Sequence, residues 1–216
     1  MEIGGTVGDM ESEYLIESMR QLRHELGAGN ILFVHLVYLP YLGASDELKT
    51  KPAQNSVRDL RARGIEPDIL VVRSDKRVDE KLISKLSIMT GIEKRCIIPS
   101  ETVKSIYQVP VKYYNYGIGE VIAEKLELQT TGKISFDLSQ RENLIQHIEN
   151  ATEVKKIAMV GKYTALEDAY YSLNEGLKVA GYRNHINVQI SFLDAEKLEQ
   201  GSADEILSHY DGIVIP

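Results

Sequence analysis

The sequence predicts an α/β fold, in which helices flank a parallel β-sheet. Short apolar runs such as Ile31–Val37 alternate along the chain with segments that repeat apolar residues at helical spacing. Continuous apolar runs are typical of strands that helices cover on both faces, and their alternation with helices favours β–α–β units. Hydrophobic residues make up 43% of the 216 residues and charged residues 26%, a composition that excludes intrinsic disorder.

Residues 1–127 are predicted to form most of a first domain core. Its first helix repeats apolar residues from Tyr14 to Leu26, and Gly27 ends it. Pro40 ends the first strand, and a polar loop continues to Pro52. In chain order we expect a helix over 12–26, a strand over 31–37, a helix over 56–63, a strand over 68–72, a helix over 79–89, a strand over 95–98 and a helix over 118–126.

Residues 128–154 are predicted to be a connection, and residues 155–216 begin a second domain. The connection includes a helix over 137–148, capped by Ser139. We then expect a strand over 156–160, a helix over 168–180, a strand over 188–192 with one exposed face, a helix over 203–208 and a strand over 212–215. About 60 residues are few for an independent α/β domain. Because both ends of the chain are also abrupt, we expect a piece of a longer protein.

The net charge of the chain limits the classes of molecule that it is expected to bind. There are 32 acidic residues against 25 basic ones, a net charge of −7, which disfavours non-specific binding to nucleic acid. No apolar run reaches the roughly 18–20 residues of a membrane span, and no signal peptide opens the chain. Cys96 is the only cysteine, so neither an internal disulfide nor a zinc site built from several cysteines can form. We expect a cytoplasmic protein without nucleic-acid or membrane partners.

The first candidate binding segment is the glycine-rich stretch from Glu2 to Ser12. Its glycines allow backbone amides to approach a ligand closely, and the helix behind them favours anions. The carboxylates of Glu2, Asp9 and Glu11 suit Mg²⁺ or ribose hydroxyls. A tight turn with capping acids explains the same residues equally well.

The second candidate segment is Lys49–Gln54, in the loop after a buried strand. Its two lysines can neutralise phosphate, and the Gln54 amide offers a donor and an acceptor to a base. A solvated basic loop is the competing interpretation.

The third candidate is Arg73, at the end of the strand over 68–72. An arginine there can stack on a base or hold a phosphate. A structural ion pair with Asp75 or Asp79 is an equally good explanation. Lys85, on the following helix, is by its position alone a surface residue.

Other chemistry is not supported by the sequence. No Gly-x-x-x-x-Gly-Lys-Ser/Thr string occurs, and neither Gly132-Lys133-Ile134 nor Gly161-Lys162-Tyr163 replaces it. The five histidines show no metal-ligand spacing, and Cys96 in an apolar strand is predicted to be a core residue.

Taken together and in order, these strings resemble those of CTP synthases over essentially the whole chain. The strings that carry the resemblance are Glu2-Ile3-Gly4-Gly5-Thr6-Val7-Gly8-Asp9, Pro40-Tyr41-Leu42, Lys49-Thr50-Lys51-Pro52-Ala53-Gln54, Arg73-Ser74-Asp75, Ser105-Ile106-Tyr107 and Met159-Val160-Gly161-Lys162-Tyr163. Dethiobiotin synthetase, a related amidoligase, shares only the Glu-x-Gly-Gly string. Lys49–Gln54 and the new strand at Lys156 argue against it.

The resemblance implies a carbon–nitrogen ligase of pyrimidine biosynthesis, which aminates UTP to CTP with ATP, Mg²⁺ and ammonia derived from glutamine. It implies a Rossmann-like, P-loop-type amidoligase sheet, here incomplete, followed by the first βα units of a flavodoxin-like class I glutamine amidotransferase domain. Family properties add GTP as an allosteric activator, CTP as a feedback inhibitor and a homotetramer. An alternative is a nucleotide-binding or oligomerisation module without catalysis.

The resemblance also assigns roles to residues. Glu2 corresponds to a Mg²⁺ ligand. The UTP- and CTP-binding positions are Asp9, Met10, Glu11, Glu17, Lys49, Thr50, Lys51, Gln54 and Lys85, with Lys49 and Lys51 neutralising charge on the substrate. The ATP-binding positions are Arg73, Glu101, Thr102 and Val103. The family's P-loop and its glutaminase cysteine are missing from the sequence, so we expect the chain alone to be inactive.

Overall fold

The computed structural model describes residues 1–129, 135–164, 166–199 and 201–216. The chain divides into two compact units, Met1–Asp137 and Leu138–Pro216. The division falls inside the predicted connection. Residues 130–134 of that connection, which include the Gly132-Lys133-Ile134 string, lie outside the described residues.

The first unit alternates strands and helices around one parallel sheet. Its elements are α1 (Glu13–Leu26), β1 (Val34–Leu39), β2 (Tyr41–Leu42), β3 (Glu47–Leu48), α2 (Lys51–Ala62), β4 (Ile69–Ser74), α3 (Glu80–Thr90), β5 (Ile97–Glu101), α4 (Val109–Asn115) and α5 (Ile118–Lys125). The sheet has the order β1-β4-β5 with every pair parallel, and β2 and β3 form a separate antiparallel hairpin. The predicted α/β class is therefore confirmed.

The central strand β4 forms the middle of the core. Ile69, Leu70 and Val72 are fully buried, and they pack with Leu39 from β1 and Leu86 from α3. Both faces of β4 are covered, because consecutive residues from Ile69 to Val72 are all buried.

The prediction that the first strand is buried on both faces is wrong. Val34 and Leu36 are 50% and 60% exposed, and only the face that carries Val37 and Leu39 is covered. In the described part of the chain β1 is an edge strand, and α2 packs on one side of it. The strand also begins at Val34 instead of Ile31.

The late start of β1 has a local cause. The backbone N–H of Phe33 donates to the Asp68 carboxylate over 2.8 Å instead of joining the sheet ladder. Arg23 holds that carboxylate with two further hydrogen bonds, at 2.6 and 3.0 Å. The strand can pair regularly only after this junction.

Helix α2 is longer than predicted, because it begins at Lys51 and not at Ser56. Pro52 lies in its first turn, where the missing N–H has no partner to lose. Pro52 is therefore part of the helix, whereas it was predicted to lie in the loop before it. The hairpin of β2 and β3 and the helix α4, which also has a proline in its first turn, were not predicted.

The second unit repeats the alternation on a smaller scale. Its elements are α6 (Ser139–Asn150), β6 (Glu153–Gly161), α7 (Tyr171–Arg183), β7 (Ile186–Asp194), α8 (Ala195–Glu199), α9 (Ala203–Leu207) and β8 (Gly212–Val214), with the parallel sheet order β7-β6-β8. Ala158 and Met159 of the central strand are fully buried. Leu138, not Ser139, occupies the N-cap position of α6, so the predicted serine cap is wrong.

None of the described helices combines the length and apolar character that a membrane crossing requires.

Candidate functional site

The candidate site lies at the carboxyl edge of the first sheet. Parallel pairing places Leu39 beside Ser74 and Ser74 beside Glu101, so the loops after β1, β4 and β5 leave the sheet side by side. Ligands of open α/β sheets bind at this edge. The predicted segments 49–54 and 101–103 and the residue Arg73 are all attached to it.

The segment 49–54 forms the start of α2. The hairpin before it ends with the buried Leu48, and the backbone N–H of Lys49 donates to the Pro40 carbonyl over 2.9 Å. Gln54 Nε2 donates to Oγ1 of the buried Thr50 over 3.0 Å. The structure thus brings together all four residues that the sequence predicted here.

The N-terminus of α2 is open to an anion. Its first turn contains no acidic residue, and Thr50 at the N-cap makes no side-chain capping bond. At α3, in contrast, the Asp79 carboxylate accepts a hydrogen bond from the backbone N–H of Leu82 over 2.8 Å. Free N–H groups and the dipole at a helix start favour negatively charged groups. Lys51 adds an exposed ammonium group without a hydrogen-bond or ion-pair partner among the described residues, whereas Lys49 pairs with Glu47.

The end of β4 and the loop after it carry two guanidinium groups that form no ion pair with the described residues. Arg73 and Arg77 are exposed and make neither a hydrogen bond nor an ion pair with any residue that the structure describes. Each of the other six arginines of the first unit pairs with a carboxylate. Between them, the Lys76 ammonium lies 5.0 Å above the Tyr41 ring. Lys76 and Arg77 were not among the predicted site residues, although three cations within five residues near a strand end indicate a site for an anion.

Two hydrogen bonds occupy the carboxylate of Asp75, which forms no ion pair with Arg73. It accepts hydrogen bonds from Tyr38 Oη at 2.6 Å and from Thr102 Oγ1 at 2.8 Å. The Tyr38 and Thr102 hydroxyls hold the pKa of the Asp75 carboxyl below its usual range, and the Arg73 charge contributes less in the same direction. The hydrogen bond to Asp75 raises the pKa of Tyr38. The other possible partner, Asp79, caps α3.

Glu101 is bound within the protein. Its carboxylate lies 3.0 Å from Lys112 Nζ and accepts a hydrogen bond of 3.4 Å from Tyr116 Oη. Partial burial raises its pKa, but the Lys112 ammonium and backbone N–H groups, including that of Val78, outweigh this effect and leave the pKa below its usual range. Glu101 is therefore ionised at neutral pH, and the Lys112 ammonium group partly neutralises its negative charge. Val103, two residues later in the chain, is half-buried.

Lys85 is on the exposed face of α3. It lines a shallow surface depression with Ile88 and Met89, and no described hydrogen bond or ion pair joins it to segment 49–54.

The glycine-rich segment lies near the other end of α2. Ile3 and Val7 pack against a cluster that includes Leu60 near the end of α2, and a side chain at Gly8 would meet the Arg63 guanidinium at 3.3 Å. Since α2 has 12 residues, a rise of about 1.5 Å per residue puts roughly 18 Å between its ends. One copy of the chain does not bring this segment and Lys51 into contact.

Several side chains of the glycine-rich segment and α1 already have partners. The Asp9 carboxylate accepts the backbone N–H of Thr6 over 2.6 Å, which favours the tight-turn interpretation for this residue. Arg20 and Gln21 donate to Glu17 and lower its pKa to about 2. Glu2, Met10 and Glu11 are exposed. The described residues contain no cluster of three or more potential metal ligands.

The predicted structural role of Cys96 is confirmed. Its side chain is buried in the core of the first unit, and burial raises the pKa of the thiol. His35 is also largely buried, with Nε2 2.9 Å from Ser56 Oγ, and burial lowers its pKa.

Comparison with known proteins gives a consistent result along the chain. The family model described as "CTP synthase N-terminus" matches residues 1–128. The CTP synthase of Clostridium beijerinckii is 42% identical over 215 residues, covering 100% of this chain and 40% of that protein. The CTP synthase of Dehalococcoides mccartyi is 41% identical over 216 residues, covering 100% of this chain and 39% of that protein. The chain thus spans about 40% of the length of the curated relatives it matches.

Proposed function

The chain belongs to the CTP synthase family, and on this basis we propose that it forms the nucleotide-binding part of an enzyme that aminates UTP to CTP. The proposed reaction transfers the ATP γ-phosphate to O4 of UTP, after which glutamine-derived ammonia displaces the phosphate at C4. Such transfers depend mainly on positioning and charge neutralisation.

The observation that carries this proposal is the set of cationic groups, without an ion pair among the described residues, at one edge of a net-acidic protein. Lys51, Arg73 and Arg77 form no ion pair within the described part of the chain, and the uncapped start of α2 lies at the same sheet edge. Unpaired charges of one sign at the ligand-binding edge of a parallel sheet are suited to nucleotide phosphates.

The residues at this edge have distinct proposed roles. Lys49 and Lys51 neutralise the UTP phosphates, and Thr50 and Gln54 contact the pyrimidine nucleotide. Lys85 belongs to the same proposed set through the family resemblance. Arg73 and the segment 101–103 are proposed to bind ATP.

The glycine-rich segment completes the proposed nucleotide machinery. Asp9, Met10, Glu11 and Glu17 are its proposed CTP- and UTP-reading residues. Glu2 presents one exposed carboxylate, which fits Mg²⁺ because this ion is usually held by one or two carboxylates together with substrate phosphates. A bound Mg²⁺ would neutralise phosphate charge.

The second unit is proposed to begin a class I glutamine amidotransferase domain. Its parallel β7-β6-β8 sheet and the match of the relatives across the whole chain support this assignment. Activation by GTP, inhibition by CTP and a homotetramer are further proposals from the family. Exposed Tyr14 and Leu26 on α1 favour an assembly role as a second function.

Titration of the chain with UTP, CTP and ATP in the presence of Mg²⁺ tests the proposal. We expect UTP to bind and uridine, which has no phosphate, to bind far more weakly. Lys51→Gln should weaken UTP about fivefold, since an exposed charge pair contributes about 1 kcal/mol. Lys94→Gln is the matched control, because Lys94 is exposed and lies before β5 at the opposite edge of the sheet. Equal affinities for uridine and UTP would contradict the proposal.

A further inference from the structure

One carboxylate connects the ends of all three strands of the first sheet. Asp75 follows β4 directly, Thr102 follows β5 directly, and Tyr38 is the penultimate residue of β1. Both hydroxyls donate to Asp75, with Tyr38 on Oδ2 at 2.6 Å and Thr102 on Oδ1 at 2.8 Å. The two oxygens of Asp75 therefore each hold a different neighbouring strand.

Backbone contacts make the same junction more rigid. The backbone N–H of Thr102 donates to the Ser74 carbonyl over 2.8 Å, and the fully buried Ser74 hydroxyl donates to the Lys76 carbonyl over 2.6 Å. The sheet register pairs Arg73 with Ser100. Arg73 and the segment 101–103 are thus fixed relative to each other from both sides of Asp75.

We propose that Asp75 is a positioning residue, which holds the segment 101–103 in place relative to Arg73 for binding of the adenine nucleotide, with Tyr38 as its second support. This inference rests on the proposed function of these residues in ATP binding. Asp75 is unsuited to direct phosphate contact because it is an anion and both of its oxygens are engaged. Tyr38, on the otherwise exposed face of β1, contributes through its hydroxyl.

The Asp75 carboxyl is well matched to this role. As an ionised group it accepts hydrogen bonds only, so it can accept from both hydroxyls at once. The two contacts lower its pKa, and the ionised form is therefore maintained at neutral pH. An asparagine at this position has a single acceptor oxygen and could keep only one of the two contacts in the same geometry.

The test uses two variants and a matched control. Tyr38→Phe removes one hydrogen bond and keeps the ring, and Asp75→Asn replaces one of the two acceptor oxygens with a donor. Tyr41→Phe is the control, because the Tyr41 hydroxyl donates to Asp46 over the same 2.6 Å but in the hairpin of β2 and β3. ATP and UTP affinities of the chain are measured by calorimetric titration, and exchange of the Thr102 amide proton is followed without nucleotide.

We expect both variants to weaken ATP binding about three- to tenfold, which corresponds to one hydrogen bond. UTP affinity should stay within twofold of the original, and the Thr102 amide should exchange faster in Tyr38→Phe and Asp75→Asn but not in Tyr41→Phe. A merely structural role would weaken both nucleotides equally, and that result overturns the proposal. So does unchanged ATP affinity in both variants.

Failure of the underlying function gives a different result. If the original chain binds neither ATP nor UTP, the proposed function is refuted before any variant is compared, and the positioning role falls with it. If the original chain binds ATP but the variants weaken ATP and UTP binding equally, the proposed function is retained and the positioning role of Asp75 is refuted.

Discussion

Replacement of both Arg73 and Arg77 by glutamine should weaken ATP binding and make it less sensitive to salt. The two guanidinium groups are exposed and have no ion-pair partner among the described residues, so their removal leaves no buried carboxylate behind. At about 4 Å in a water-like medium, each contact with a phosphate charge contributes about 1 kcal/mol. The loss of both should therefore reduce affinity about 10- to 30-fold at low ionic strength.

The salt dependence separates this effect from a change in folding. Since exposed charges are screened over about 8–10 Å near physiological ionic strength, the affinity difference should shrink as salt is added. ATP binding is titrated at several salt concentrations, and the melting temperature of each variant is measured alongside. The control is Arg58→Gln combined with Arg95→Gln, which removes the same two charges from arginines that pair with carboxylates. If the control weakens ATP as much as the Arg73 and Arg77 variant does, net charge and not position explains the affinity.

Three further predictions concern stability. Asp68→Asn should cost about 2–3 kcal/mol of unfolding free energy, measured by urea denaturation, because the side chain is only 13% exposed and accepts from Arg23 and a backbone N–H; a loss below about 0.5 kcal/mol would contradict it. Since burial lowers the pKa of His35, stability should be full above about pH 6.5 and decline as the pH falls below it; His35→Gln should flatten that decline in melting curves, and an unchanged slope would refute it. Gly176→Ala should stabilise α7 by about 0.5–1 kcal/mol, since no described atom outside the helix's own backbone lies within 4 Å of the added carbon. Gly181→Ala should destabilise it by about 1–3 kcal/mol, because that carbon would meet the Ile186 carbonyl oxygen at 2.8 Å. Equal effects in chemical denaturation would contradict both.

The order of elements could be predicted because each strand and helix carries its own periodicity. Runs such as Ile69–Val72 have one plausible use in a folded protein, and the structure buries them. Helix starts were less predictable, since Pro52 and Pro110 are compatible both with a loop and with a first helical turn. The exposed face of β1 could not be predicted, because a sequence does not specify which strand lies at the edge of a sheet.

The candidate site was only partly readable from the sequence. Lys49–Gln54 is contiguous, so its side chains were predicted together and lie together. The junction of Tyr38, Asp75 and Thr102 joins three distant parts of the chain, and the parallel register alone aligns them. Ion pairing is equally hidden in a sequence, because Arg61 forms an ion pair with the Glu66 carboxylate whereas Arg73 forms none with any described residue.

The bare face of β1 has a practical consequence for solution work. Val34 and Leu36 expose aliphatic surface on β1, and among the described residues this strand pairs with another strand on one side only. An exposed apolar edge strand of this kind readily pairs with a strand of another polypeptide chain. Light scattering across a dilution series should therefore accompany every titration, because a self-associating sample would mimic weak nucleotide affinity.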